Sequence, residues 1–273
     1  MPELPEVETV VRGLRKKVLN QKIKQVKIYY EGIIQYPSIS KFKEQIQNQT
    51  IQEIKRYGKW IIFILDNDYL LSHLRMEGKY FIHKIPKERQ KHEHVIFEFF
   101  KGEELCYHDV RKFGKMLLIP KDKINEIGPF KEMGLEPWDK SLTNNYLKEK
   151  LKKKQLPIKS SLLDQRIIVG IGNIYADEIL FASSINPLKK SNQLTDTDRK
   201  NIIFNTKKIL EEAINQGGTT IRTYTSLNGI HGLFQQELNV HGKLDAPCPK
   251  CGSKILKIKV GGRGTYYCPK CQK

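Results

Sequence analysis

The first clear period in the chain runs from residue 5 to residue 19. Val7, Val10, Val11, Leu14 and Val18 recur at three- and four-residue spacing, which predicts a helix with one apolar face. Pro5 suits its first turn, Glu6 and Glu8 lie at the positive end of the dipole, and Arg15, Lys16 and Lys17 lie at the negative end. From 22 to 119 the period shortens to two. Val26, Ile28 and Tyr30 alternate, and short β-branched or aromatic runs follow at 59–65, 69–76, 79–83, 94–100, 105–110 and 113–119. One helix, about 39–48 after Ser38, interrupts them. This half predicts an antiparallel β-sandwich with flanking helices.

Gly128-Pro129, Gly134 and Pro137 mark a turn-rich stretch, and the helical period returns after it. Leu142, Tyr146, Leu147 and Leu151 outline one helix, and another follows Asn173. A third starts at Thr195, with Asp198 placed for a capping box, and runs to Gly217-Gly218. The last residues revert to short strands around four cysteines. The pattern predicts a multidomain α+β chain: a sandwich over 1–130, a hinge over 131–140, a helical domain over 141–238 and a small β module over 239–273.

Charge changes this picture. Lys and Arg number 48 against 30 Asp and Glu, a net charge of +18. That excess favours an anionic partner, with a solvated lysine-rich surface as the plainer alternative. The basic residues are spread over several elements, which argues against a membrane surface. No apolar run approaches the roughly 18 residues of a membrane span, and the acidic N-terminus lacks a signal-peptide core. A cytoplasmic location is expected.

The cysteines carry the strongest local signal. Cys248-x-x-Cys251, then sixteen residues, then Cys268-x-x-Cys271 has zinc-site spacing. It predicts one structural Zn²⁺ per chain; two disulfides are the alternative, disfavoured in a reducing compartment. His241 to Lys273 holds eight Lys/Arg against one Asp, so the module should face phosphate. Gly261-Gly262-Arg263-Gly264 between the pairs reads as a hairpin tip lifting an arginine. Gly170-Ile171-Gly172-Asn173 lacks the third glycine of a dinucleotide fingerprint, so no nucleotide or redox cofactor is expected. It could bind phosphate at a helix start or merely join two helices.

The N-terminus offers the chemistry. Without Met1, Pro2 presents a secondary amine, a nucleophile for carbonyl-type carbon, beside Glu3 and Glu6. An ordinary α-amino group titrates near roughly 7.7–8.0, so part of it is neutral at cell pH. Met76 and Phe113 could wedge between bases or belong to the core; Lys59 could be a surface lysine, a phosphate contact or a proton carrier, and His92 and His94 could touch DNA or plain solvent. Cys106 stands apart and is expected to be a small buried hydrophobe.

Taken together, Pro2-Glu3-Leu4-Pro5-Glu6-Val7-Glu8-Thr9, Asp109-x-Arg111-x-Phe113-Gly114, Gly172-Asn173-Ile174-Tyr175-Ala176-Asp177-Glu178 and Arg263-Gly264-Thr265-Tyr266-Tyr267-Cys268 resemble the bacterial formamidopyrimidine-DNA glycosylase family. The resemblance covers the whole chain. It implies a catalytic sandwich, a helix–two-turns–helix domain, a zinc finger, and a monomer that acts on damaged double-stranded DNA. The implied activity removes oxidised purines through a Schiff base at Pro2 and then cleaves the strand by β,δ-elimination. Glu3 is implied as general acid, Lys59 and Arg263 as elimination-stage cations, and Glu6 as a further member of the site. The resemblance implies DNA contacts from Met76, His92, Arg111, Phe113, Lys154, Lys159, Asn173 and Tyr175. A lesion-capping loop over 217–225 would add Arg222 and Tyr224. Two rival readings are an endonuclease-VIII-type enzyme for oxidised pyrimidines, which typically has glycine where Leu4 stands, and a non-catalytic zinc-finger DNA binder.

Overall fold

A computed structural model describes residues 1–85, 88–219 and 233–273. The chain divides into two units. The first holds Met1–Lys131 and a second stretch beginning at Thr219; the second holds Glu132–Gly218 and Leu233–Lys273.

In the first unit, helix α1 (Leu4–Val18) opens with Glu3 and Glu6 as a reciprocal capping box: the Glu3 backbone N–H donates to Glu6 Oε2 at 2.8 Å. Val7, Val10, Val11, Leu14 and Val18 are buried, the stripe its spacing predicts. The Arg15 side chain donates from the last turn to the Ile54 carbonyl at 2.6 Å and fixes the helix to the sheet. The strands are β1 (Ile23–Ile28), β2 (Ile34–Tyr36), β3 (Glu53–Tyr57), β4 (Trp60–Ile64), β5 (Asp68–His73), β6 (Lys79–Lys84), β7 (Glu93–Phe99), β8 (Glu103–His108) and β9 (Lys115–Pro120). Helix α2 (Ile39–Ile46) lies between β2 and β3, and a short α3 (Ile124–Ile127) follows β9.

Two sheets result, one in the order β1-β7-β8-β6 and one in the order β2-β9-β5-β4-β3. Their inward rows, Val26, Val95, Phe97, Leu105 and Tyr107 on one and Ile54, Ile61, Phe63, Leu70, Met116 and Leu118 on the other, share one core with α1 and α2. Each such side chain stabilises the fold by about 1.5–3 kcal/mol on burial. The sandwich agrees with the sequence period, with one difference. Strand β2 pairs parallel to β9, whereas every other strand pair in the unit is antiparallel. The short edge strands β2 and β3 gave little alternating signal, since β3 carries Lys55 and Arg56.

The second unit contains α4 (Asn144–Leu151), α5 (Ile158–Leu162), α6 (Asn173–Ala182) and α7 (Asp196–Asn215). Thr195 and Asp198 form the expected capping box of α7, with backbone-to-side-chain bonds of 3.1 and 2.9 Å. Helix α6 is buried almost all round, Asp177 and Glu178 included. The residues expected to form a hinge are in part fastened down: Gly134 and Leu135 donate to the carbonyls of Gln165 and Ile167 within this unit.

A hairpin of β10 (Leu256–Val260) and β11 (Arg263–Tyr267) closes the chain. Its register pairs Val260 with Arg263, so Gly261-Gly262 is a two-residue turn, and both glycines have positive φ, 55° and 78°. Such a turn favours glycine, because other residues are strained at both positions. Among the described residues, no helix is long and apolar enough to cross a membrane.

Candidate active site and zinc centre

In the first unit the N-terminus is built in. Pro2 is buried, and Glu3, Glu6 and Lys59 are 3%, 4% and 5% exposed. Lys59 follows Gly58 in the two-residue turn between β3 and β4. That turn is latched to α1: Arg56 donates through Nη1 to the Gly58 carbonyl at 3.2 Å and through Nε to Glu8 at 3.2 Å. Burial pushes the terminal ammonium of Met1 below its usual value. Glu3 and Glu6 pull it back up, and Lys59 pushes it further down. The four groups therefore share one electrostatic environment, in which burial outweighs the two carboxylates. While Met1 is attached, the Pro2 nitrogen is an amide.

Glu6 is fully engaged as an acceptor. Oε2 takes the Glu3 N–H, and Oε1 takes both the backbone N–H and the hydroxyl of Thr219, at 2.8 and 3.1 Å. Glu6 thus anchors the start of α1 to the second stretch of this unit.

Two turns present Met76, Arg111 and Phe113. Asp109, fully buried, accepts from the backbone N–H groups of Arg111, Phe113 and Gly114 at 3.0, 2.9 and 2.8 Å. This pins the chain after β8, and the Arg111 guanidinium stacks over the Phe113 ring at 4.7 Å. Phe113 is half exposed. A Cβ added at Gly114 or Gly78 would lie 1.7 or 2.2 Å from the Tyr107 hydroxyl. Both turns thus close on one buried hydroxyl, which brings Met76 and Phe113 to the same edge of the sandwich.

In the second unit, a buried hub holds the hairpin. Lys159, fully buried, pairs with Asp177 at 2.7 Å and donates to the Gly264 carbonyl and Thr265 hydroxyl at 3.0 and 2.8 Å. The other Asp177 oxygen lies 2.7 Å from His241 Nδ1 and accepts from the Tyr266 N–H at 3.2 Å. Asn173 donates through Nδ2 to the same Gly264 carbonyl at 3.0 Å. The start of α6 and the exposed Arg263 are therefore held side by side. Glu178 adds three backbone acceptor bonds, to Asn239, Val240 and His241, each at 2.9 Å.

The four cysteines fit a tetrahedral ion. Their sulfurs lie within 4.8 Å of one another, with Cys248–Cys271 at 3.8 Å and Cys251–Cys268 at 3.5 Å. Bonds of about 2.3 Å to a central zinc give edges near 3.8 Å. Without a cation, ionisation is opposed at Cys268 and Cys271. The neighbouring thiols push Cys271 up to about 12, burial pushes Cys268 up, and hydrogen bonds from Ser253 draw Cys251 down to about 6. A divalent ion removes that conflict. Cys251→Ser is expected to lose this zinc, unfold the hairpin and abolish DNA binding together, read by metal analysis beside a mobility-shift titration.

Three family models match in order. They are the formamidopyrimidine-DNA glycosylase N-terminal domain over residues 1–116, its H2TH domain over 133–225, and the zinc finger found in FPG and IleRS over 246–273. A formamidopyrimidine-DNA glycosylase of Oceanobacillus iheyensis is 46% identical over 273 residues, 100% of this chain and 98% of that protein. The chain belongs to the formamidopyrimidine-DNA glycosylase family. Two solved Lactococcus lactis FPG complexes agree. A variant on Fapy-dG-containing DNA superposes with a TM-score of 0.94 at 42% identity, covering 100% of both chains. A complex with abasic-site DNA gives 0.93 at 42% identity, covering 99% of each.

Within this glycosylase-family frame, several sequence expectations move. Lys159 and Tyr175, expected to contact DNA, are both fully buried: Lys159 neutralises Asp177 behind the finger, and Tyr175 packs in the core near Phe234. Glu6, expected at the chemistry, has both oxygens committed to backbone and hydroxyl donors. Lys154 is half buried and pairs with Asp164 at 3.1 Å. His92 is half buried at positive φ, its ring 5.7 Å from that of His108. Arg222 and Tyr224 lie outside the described residues. Sequence reading gave Glu8 only a place at the helix dipole and gave no role to Arg56, Asp177 or Glu178; the available signal for the last two was a pair of acids inside the apolar run of α6.

His73 gives this family member an acid-sensitive point. Its Nδ1 accepts from the Arg75 N–H at 3.0 Å, its ring meets Trp60 edge-on, and it is buried. Burial, with Arg75, Lys59 and Lys115 nearby, holds it down to about 3. A depressed histidine contributes stability that is complete above its unfolded value of 6.5 and is lost as pH falls toward 3. The expected slope from this group is about 1.4 kcal/mol per pH unit across that window. His73→Asn, which keeps an acceptor, should flatten that part of a denaturant-unfolding series in pH.

Proposed function

We propose that this protein is a base-excision-repair DNA glycosylase with AP lyase activity, removing oxidised purines such as 8-oxoguanine and formamidopyrimidines from damaged duplex DNA. The damaged nucleotide leaves the stack, since its C1′ is out of reach inside the duplex. The Pro2 amine, freed by loss of Met1, attacks C1′. The bond to the base breaks, and the nitrogen–carbon pair becomes an iminium as the sugar ring opens. Glu3 delivers the proton that the ring oxygen needs. The iminium accepts the electrons left when a C2′ proton departs, and the 3′ phosphate leaves. A second elimination releases the 5′ phosphate. Lys59 and Arg263 supply positive charge to these leaving groups.

Met76, Arg111 and Phe113 fill the gap left by the extruded base. Asn173 and Arg263 hold a phosphate, with His92 and Lys154 as outlying contacts. The segment 217–225, with Arg222 and Tyr224, covers the lesion base. Glu6 acts through position, by fixing the start of α1. The enzyme works as a monomer in the bacterial cytoplasm, on nucleoid DNA.

One observation carries this reading: the Pro2-Glu3 terminus is a buried helix cap beside Lys59, in a chain that matches the family from end to end. Matched duplexes carrying 8-oxoguanine or 5-hydroxycytosine test it. Faster release of 8-oxoguanine is expected, and faster pyrimidine release would move the protein to the endonuclease-VIII-type reading.

A further inference from the structure

The geometry points to a second divalent-metal site, formed by His83, Glu93 and Cys106 on the four-stranded sheet of the first unit. Strand β8 lies between β6 and β7, with Cys106 opposite Phe81 on one side and Ile96 on the other. His83 is two residues along β6 from Phe81, which makes it a diagonal neighbour of Cys106 on the same face. Glu93 lies where β7 shifts register against β8, an irregularity of the kind that re-aims a side chain. One nitrogen, one carboxylate oxygen and one sulfur thereby come within 4.8 Å of one another.

The distances suit an ion better than direct contacts. His83 Nε2 lies 3.6 Å from Glu93 Oε1, beyond hydrogen-bond reach. Ligands held about 2.0–2.3 Å from one tetrahedral ion are separated by roughly 3.3–3.7 Å. Among the described residues, His83 Nε2 is buried with no hydrogen-bond partner, and so is His108 Nδ1 on the strand position opposite Glu93. Two unanswered imidazole nitrogens thus flank one carboxylate. Glu93 and Cys106 are fully buried. Glu93 also accepts from the Gln90 N–H at 2.7 Å, and the Cys106 thiol lies 3.4 Å from Glu104. His83 keeps a quarter of its side chain exposed, 27%, which leaves the ion a way in.

The donor set selects the metal class. Imidazole, carboxylate and thiolate together suit zinc-like ions, whereas magnesium and calcium prefer all-oxygen sites. Binding exchanges the Cys106 S–H bond for an S–metal bond and releases that proton to solvent. With neutral His83, the ionised Glu93 and Cys106 then balance the two positive charges of the ion. Three protein ligands leave a fourth position for water or His108.

The test uses the full chain with its finger zinc in place. Protein equilibrated with excess Zn²⁺ and then desalted is weighed by native mass spectrometry. The wild type should retain two zinc ions, and His83→Asn and Cys106→Ser one each. Co²⁺ added to protein that holds only its finger zinc should give a thiolate-to-cobalt absorption band that Cys106→Ser lacks. Borohydride trapping on lesion DNA should be the same in all three proteins, which shows that each variant is folded. One zinc in the wild type, or two in both variants, overturns the site.

Discussion

Borohydride added to the protein on lesion-bearing duplex DNA should trap a covalent adduct when Met1 has been removed, and far less when Met1 is retained. Retention leaves an amine at the terminus, but one residue out of place. Consecutive residues stand about 3.8 Å apart, and a misplacement of roughly 1 Å can cost about 10²-fold in a positioned reaction. The capping box and the Arg56–Glu8 latch leave the terminus little room to adjust. Protein made in cells without methionine aminopeptidase provides the comparison, with adduct yield read on a denaturing gel. Equal trapping in both forms would refute Pro2 as the nucleophile. Glu3→Gln should lower base excision by about 10²–10⁴-fold, the usual contribution of a placed general acid, with DNA binding retained.

Asp177→Asn should destabilise the second unit by about 3–5 kcal/mol, since it leaves the Lys159 ammonium buried without a counter-charge. It also weakens the grip on His241 and on the Tyr266 N–H, so the hairpin that carries Arg263 loses its seat. Denaturant unfolding should register the stability loss, and a mobility-shift titration should register weaker DNA binding. Lys159→Met added to Asp177→Asn should recover much of the stability, because the stranded charge is gone. It should not recover the binding, because the bonds from Lys159 to Gly264 and Thr265 are lost as well. Recovery of both would mean that the hub does not position the finger.

The sequence was most legible where one residue type does one job. The α1 stripe, the Thr195–Asp198 cap, the Gly261-Gly262 turn and the four cysteines each follow from local spacing, and each is present. It was least legible where partners are distant in the chain. Lys159 reads as a DNA contact until Asp177 and β11 are seen to enclose it, 105 residues from Gly264. Glu6 reads as a member of the catalytic site until Thr219 takes one of its oxygens. The parallel pairing of β2 with β9 was hidden for the same reason, since neither strand signals the other's direction.

The Tyr107 hydroxyl between Gly78 and Gly114 bears on how the protein can change over generations. With the phenol in place, a methyl at Gly114 would lie 1.7 Å from it, so neither glycine can drift alone. Loss of the hydroxyl alone would leave Asp109 with one donor fewer and release neither position, since ring carbon Cζ of Tyr107 lies 2.6 Å from a Cβ at Gly114 and 2.9 Å from one at Gly78, where the Leu74 carbonyl also stands at 2.7 Å. The ring and Gly114 thus form one inherited pair: related sequences that lack an aromatic ring at this position should be those in which Gly114 is free to vary, whereas Gly78 stays bound by the Leu74 carbonyl.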